Sequence, residues 1–112
     1  AYPAVWNGAW SNFGNTFTPS NNSCGDGGGG DDVWFVIHVP AGHSVTATET
    51  TTSNVTLRLV AECGATTCLA FAQNPETMTF TNATTTDRLV YLVVSRATGD
   101  VTNNFSLSFT MI

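Results

Sequence analysis

The chain has 112 residues, a net charge of −5 and only 10% charged residues, with no lysine and three arginines, Arg58, Arg88 and Arg96. A single domain of this size buries roughly 65% of the surface its unfolded chain exposes, and a 42% hydrophobic content rules out the disordered class. So few cations exclude a nucleic-acid partner, since nothing neutralises phosphates along a backbone. No apolar run reaches the roughly 18 residues of a membrane span, so membrane insertion is not expected.

In chain order, residues 1–23 read as an extended aromatic arm in which Tyr2, Trp6 and Trp10 sit among Asn, Gly and Pro. Such an arm anchors across a sandwich, pairs as one short strand, or reaches another molecule. Residues 24–32, "CGDGGGGDD", form a Gly/Asp-rich hinge. From residue 33 to 112 the pattern is alternation, with no helical period. "VWFVIHV" sets Val33, Phe35, Ile37 and Val39 on one face and Trp34, Val36 and His38 on the other. After the turn signal "PAG", Val45 and Ala47 face in and Thr46, Thr48 and Thr50 face out. Val55, Leu57 and Leu59 are inside, Thr56 and Arg58 outside. Met78 and Phe80 face inward in "ETMTFTN". "RLVYLVVS" is apolar on both faces, as befits a central strand covered on both sides. The last run places Phe105, Leu107, Phe109 and Met111 against the core. Gly, Pro, Asn and Asp separate these runs at antiparallel spacings, and threonine suits a pleated, half-exposed surface. The expected fold is an all-β antiparallel sandwich, jelly-roll-like, with an extended N-terminal arm.

Three cysteines cannot all pair. Cys63 and Cys68, in "CGATTC", are close enough for a short disulfide loop that leaves Cys24 over, the alternative being that Cys24 takes one of them. A disulfide requires an oxidising compartment, and a chain that starts at Ala1 is expected to be a mature form whose export signal has gone. The expected location is secreted, at the extracellular surface.

The succession "GDDVWFVIHVPAGHSVTATET", "NVTLRLVAECGATTCLAF", "MTFTNATTTDRLVYLVVS" and "NNFSLSFTMI" resembles the bacterial pre-peptidase C-terminal domain, a small jelly-roll module of secreted proteins. The lead-in "AYPAVWNGAW…FGNT" is similar to those of such modules in secreted proteins of the Bacteroidetes type. The chain departs from that pattern at Ser53-Asn54-Val55-Thr56 and at Leu69-Ala70-Phe71, positions where some relatives carry acids that hold calcium.

The glycine tract invites three chemistries. A phosphate cradle needs a following helix and usually a lysine, and here a strand follows and lysine is absent. Gly27 to Phe35 match one unit of a calcium-binding nonapeptide, which needs stacked copies to complete its ligands. Asp26, Asp31 and Asp32 form a weak candidate calcium site; the competing reading is a solvated acidic loop with Asx turns. No cofactor is expected.

A Ser/His/Asp set can be drawn from Ser44, His43 or His38, and Asp87, but no nucleophile motif surrounds any serine, and an enzyme is not expected. Trp6, Trp10, Trp34 and Tyr2 are candidates for an aromatic platform that stacks on a sugar, against the alternative that they anchor the arm. Asn21, Asn54, Asn82 and Asn104 occupy N-x-S/T sequons and are candidate glycosylation sites. A sheet edge without lysine is poorly guarded against strand addition. The expectation is a non-catalytic structural or interaction protein of the cell exterior, assembling with itself into a filament by strand addition of residues 1–23. The alternative is a carbohydrate-binding module whose partner is an extracellular glycan.

Overall fold

A computed structural model describes residues 4–10, 32–51, 54–62, 68–72, 76–96 and 104–112. The strands are β1 (Ala4–Ala9), β2 (Asp32–Val39), β3 (Ser44–Glu49), β4 (Val55–Val60), β5 (Ala70–Ala72), β6 (Thr77–Thr81), β7 (Arg88–Arg96) and β8 (Asn104–Met111). They form two antiparallel four-stranded sheets, ordered β1-β8-β3-β6 and β2-β7-β4-β5, packed as a sandwich. The pairings β1 with β8, β2 with β7, β3 with β6 and β4 with β5 are nested. The chain therefore pairs like one long hairpin, and rolling that hairpin over itself brings β8 beside β3 and β7 beside β4. This is the jelly-roll arrangement.

The period of two decides which side chains meet between the sheets. Val33, Ile37 and Val39 of β2 oppose Val94, Val90 and Arg88 of β7, and Leu57 and Leu59 of β4 oppose Val94 and Leu92. The other sheet contributes Val45, Ala47, Met78, Phe105, Leu107 and Phe109 to the same core. Arg88 ends its row with its guanidinium 5.4 Å from the centre of the Phe80 ring, a cation–π contact that covers the core's edge. Between β2 and β3 the turn closes with His43 N–H donating to Pro40 O at 3.0 Å. Gly42 there has φ +77°, a left-handed position that glycine occupies without strain.

Of the three roles open to the N-terminal arm, Ala4–Ala9 takes that of one short strand, an edge strand of the sandwich paired residue for residue with β8 from Ala4↔Phe109 to Ala9↔Asn104. Aromatic packing holds it there. Trp6 meets Phe35 edge-on at 5.1 Å and Phe105 at 5.1 Å, while Trp10, with 0% exposure, stacks on Phe105 at 4.0 Å. Each such pair contributes about 0.5–1.5 kcal/mol beyond its buried area. Gly8 is required beneath Trp6, because a Cβ at that position would come 2.1 Å from the indole ring. Residues 1–3 and 11–23 of the proposed arm and residues 24–31 of the glycine hinge lie outside the described residues, while Asp32 opens β2.

Candidate functional site

The outer face of the β2-β7-β4-β5 sheet carries the least expected chemistry. By register its outward rows are Asp32, Ser95 and Thr56; Trp34, Val93, Arg58 and Phe71; then Val36, Tyr91 and Val60; and finally His38 with Leu89. The middle of this face is buried. Thr56, Arg58, Val60, Val93 and Ser95 are all 0% exposed, and Val60, Val93 and Cys68 form a second small apolar cluster with Trp34 and Tyr91 against it. Ser95 Oγ donates to Asp32 Oδ1 at 2.6 Å. Burial lowers the pKa of Arg58, and the nearby Asp32 carboxylate acts in the opposite direction. The sequence reading had Arg58 outside. It does point outward from the core, but it sits in a buried polar layer with Asp32 as an acidic neighbour.

At the β2–β7 corner the same face is open. Val36 is 62% exposed and Leu89 53% exposed, and they are diagonal neighbours, because Val36 opposes Tyr91 and His38 opposes Leu89. Directly opposed side chains have Cβ atoms about 4.5–5.5 Å apart and diagonal ones about 7–8 Å, so Val36 and Tyr91 adjoin, Leu89 lies in reach on the diagonal, and the three form one apolar block with His38 at its corner. His38 Nε2 donates to Asp87 Oδ2 at 3.2 Å, and Asp87 Oδ1 accepts from Ala41 N–H at 3.0 Å. The Ala41 N–H bond holds the Asp87 carboxyl below its usual pKa, opposed by desolvation and assisted by His38 and His43. Among the described residues β2 has a sheet partner on one side only, in unbroken register with no bulge. It contains no proline or lysine to guard that edge.

Several sequence-derived sites are redistributed. The four aromatic candidates do not make one platform. Trp6 and Trp10 point into the sandwich, Trp34 is half-buried on the outside of the opposite sheet, and Tyr2 lies outside the described residues. Asp32 is bonded to Ser95, and Asp26 and Asp31 lie outside the described residues; among the described residues no group of three His, Cys, Asp or Glu converges. His38 and Asp87 do meet, but Ser44 is on the other sheet with its hydroxyl 2.7 Å from that of Thr81, and His43 Nδ1 donates to Ala41 O. Cys68 is disulfide-bonded, whereas Cys24 and Cys63 lie outside the described residues.

Among the sequons, Asn82 is removed as a glycosylation candidate. It is fully buried, its Nδ2 donates to Val39 O and Thr86 O, each at 2.9 Å, and its Oδ1 accepts from Thr84 N and Oγ1. A glycan would need that same Nδ2 atom in solvent. Asn54 and Asn104 are exposed, and Asn21 lies outside the described residues. The sequence reading passed over Val36 and Leu89 as site residues. The available signal was that "VWFVIHV" and "RLVYLVVS" are apolar on both parities, so that one parity had to be covered or left open.

No family model matches the chain, and no curated protein matches it in sequence. Its fold is similar to that of Aeromonas hydrophila PliG, a periplasmic lysozyme inhibitor of g-type lysozyme. The TM-score is 0.66 at 12% identity, over 100% of this chain and 88% of that one. It is also similar to the Yersinia pseudotuberculosis-derived mitogen, with a TM-score of 0.59 at 16% identity over 96% of this chain and 86% of the other. At these identities the likenesses establish the fold and nothing finer. The resemblance to pre-peptidase C-terminal domains continues to rest on the quoted residues. No helix among the described residues is long and apolar enough to cross a membrane.

Proposed function

We propose that the chain is an exported, non-catalytic interaction module that associates with a second copy of itself through the edge of β2 that no described strand pairs. The observation that carries this reading is the open apolar block of Val36, Leu89 and Tyr91 beside an eight-residue edge strand without bulge, proline or lysine. Assembly by strand addition, first assigned to the N-terminal arm, passes to β2 because Ala4–Ala9 already occupies its own sheet. Two β2 strands meeting antiparallel across a two-fold axis, in a register centred on Val36, set Val36 against its counterpart and Trp34 against His38. Backbone hydrogen bonds then supply affinity and the apolar block supplies specificity. Export is supported by the disulfide at Cys68, which requires an oxidising compartment, and by the periplasmic source of one structural neighbour.

Sedimentation velocity from micromolar to millimolar protein tests the proposal. Wild type is expected to shift toward dimer with concentration, while Val36→Lys stays monomeric with an unchanged melting curve. Wild type that sediments as a monomer throughout overturns self-association.

A second reading is favoured by the fold shared with a lysozyme inhibitor: the same edge docks another protein. Inhibition of a g-type lysozyme by wild type but not by Val36→Lys supports it, and undiminished lysozyme activity counts against that partner.

A further inference from the structure

The opposite sheet contains a groove that the interaction reading does not use. It is open to solvent, has a volume of about 410 Å³, and is lined by Asn7, Ala9, Asn104 and Ser106 of β1 and β8 and by Thr51. That volume is in the range of small-ligand sites. Its walls follow from register: Asn7 opposes Ser106 and Ala9 opposes Asn104, so all four project from the outer face of β1 and β8. Thr50 N–H donates to Ser106 O at 3.0 Å, which brings the segment after β3 alongside and closes the other wall with Thr51.

We infer that this groove binds one neutral sugar residue, held by the Asn7 and Asn104 carboxamides and the Ser106 hydroxyl. Among the described residues these three side chains make no hydrogen bond, so their donors and acceptors are free for a ligand. Each carboxamide offers a donor and an acceptor a short distance apart, which matches two adjacent hydroxyls of a sugar. No wall residue is charged. The nearby Glu49 carboxylate is buried and already accepts from Thr51 N–H, from Thr51 Oγ1 at 2.7 Å and from Ser106 N–H at 3.2 Å. An ionic ligand would give up its hydration here for no opposite charge. The Ala9 methyl, on the outward row with Asn7, offers the groove an apolar contact for the C–H face of a pyranose ring. The tryptophans of the proposed platform take no part, because Trp6 and Trp10 pack on the other side of the sheet.

The test uses isotope-labelled full chain made without glycosylation, so that no glycan on Asn104 fills the groove. Glucose, galactose, mannose and N-acetylglucosamine are titrated separately into the millimolar range while amide resonances are followed. At least one sugar is expected to move the side-chain amide signals of Asn7 and Asn104 and the backbone signals of Thr51 and Ser106, with saturation. Asn7→Ala and Asn104→Ala are each expected to weaken that binding about tenfold, the loss of one good hydrogen-bonded contact. Both positions are exposed, so the variants should keep the wild-type melting curve. If none of the four sugars moves these signals, or if the shifts persist in the double variant, the inference is overturned. Val36→Lys lies on the other sheet and should leave the sugar shifts intact, so this inference and the self-association reading fail independently.

Discussion

The outer faces of the two sheets are built on the same alternation and end in opposite states. On β3, β6 and β8 the outward residues from Ser44 to Thr48, Thr77 to Thr81 and Ser106 to Thr110 are all Ser or Thr, and they are partly or fully exposed. Cross-strand hydroxyl pairs join them, Ser44 with Thr81 at 2.7 Å, Thr46 with Thr79 at 2.8 Å and Thr48 with Thr77 at 3.3 Å. On β4 and β7 the outward residues include Arg58, Val60, Val93 and Ser95, all buried, and among the described residues of this sheet the Val36–Leu89 corner and the Leu69–Phe71 edge are open. One face is finished by water. The other is finished by a second layer of packing, and its polar members depend on each other as interior groups do.

The largest test of that contrast is Arg58→Ala. It removes a fully buried guanidinium whose charged form the Asp32 carboxylate favours. Truncating a large, fully buried side chain to alanine costs about 2–5 kcal/mol. Urea denaturation should show a loss of that order, and a loss typical of a surface substitution would mean that this face behaves like the hydroxyl one.

A smaller effect is expected in acid. The depressed pKa of Asp87 means that its contribution is complete above the unfolded carboxylate value, about 3.9, and is lost as pH falls through the lower folded value. Asp87→Asn should therefore lower stability at neutral pH and flatten the acid limb, the variant and wild-type curves converging below the folded pKa. An identical acid limb in the variant would sever the His38–Asp87–Ala41 connection from stability.

The smallest effect is predicted for Thr46→Val on the hydroxyl face. It deletes one solvent-accessible cross-strand hydrogen bond and keeps the β-branched shape, so thermal melting should register only about 0.2–1 kcal/mol. A loss comparable with that of Arg58→Ala would show that the two faces do not differ as described.

How much was legible in advance differs along the chain. Strands β2, β3, β4, β6, β7 and β8 were readable because one parity of each is apolar, and their inward residues, from Val33 to Phe109, are those the alternation selects. Strand β1 was hidden because "AVWNGA" is short and broken by Asn and Gly, and its partner β8 lies at the far end of the chain. Strand β5 was hidden because "AFA" is too short to show a period. Arg58 was placed on the correct face and given the wrong environment, since alternation reports direction and cannot report what lies above a face. Of the candidate site, Val36 and Leu89 stood in the sequence as apolar residues on the outward parity. Their adjacency depends on the β2–β7 register, which no local pattern specifies.

The sequence by itself determined an all-β chain of low charge, the inward face of six strands and the glycine turn after Pro40, because a two-residue period and a left-handed backbone position are local properties. The tertiary structure alone decided that Trp6 and Trp10 are core, that Arg58 is buried beside Asp32, and that Asn7 shares a groove with Ser106 and Thr51. Each of these depends on which distant strand lies alongside. In a jelly roll whose pairings are nested from β1–β8 down to β4–β5, that choice is made by the whole chain at once.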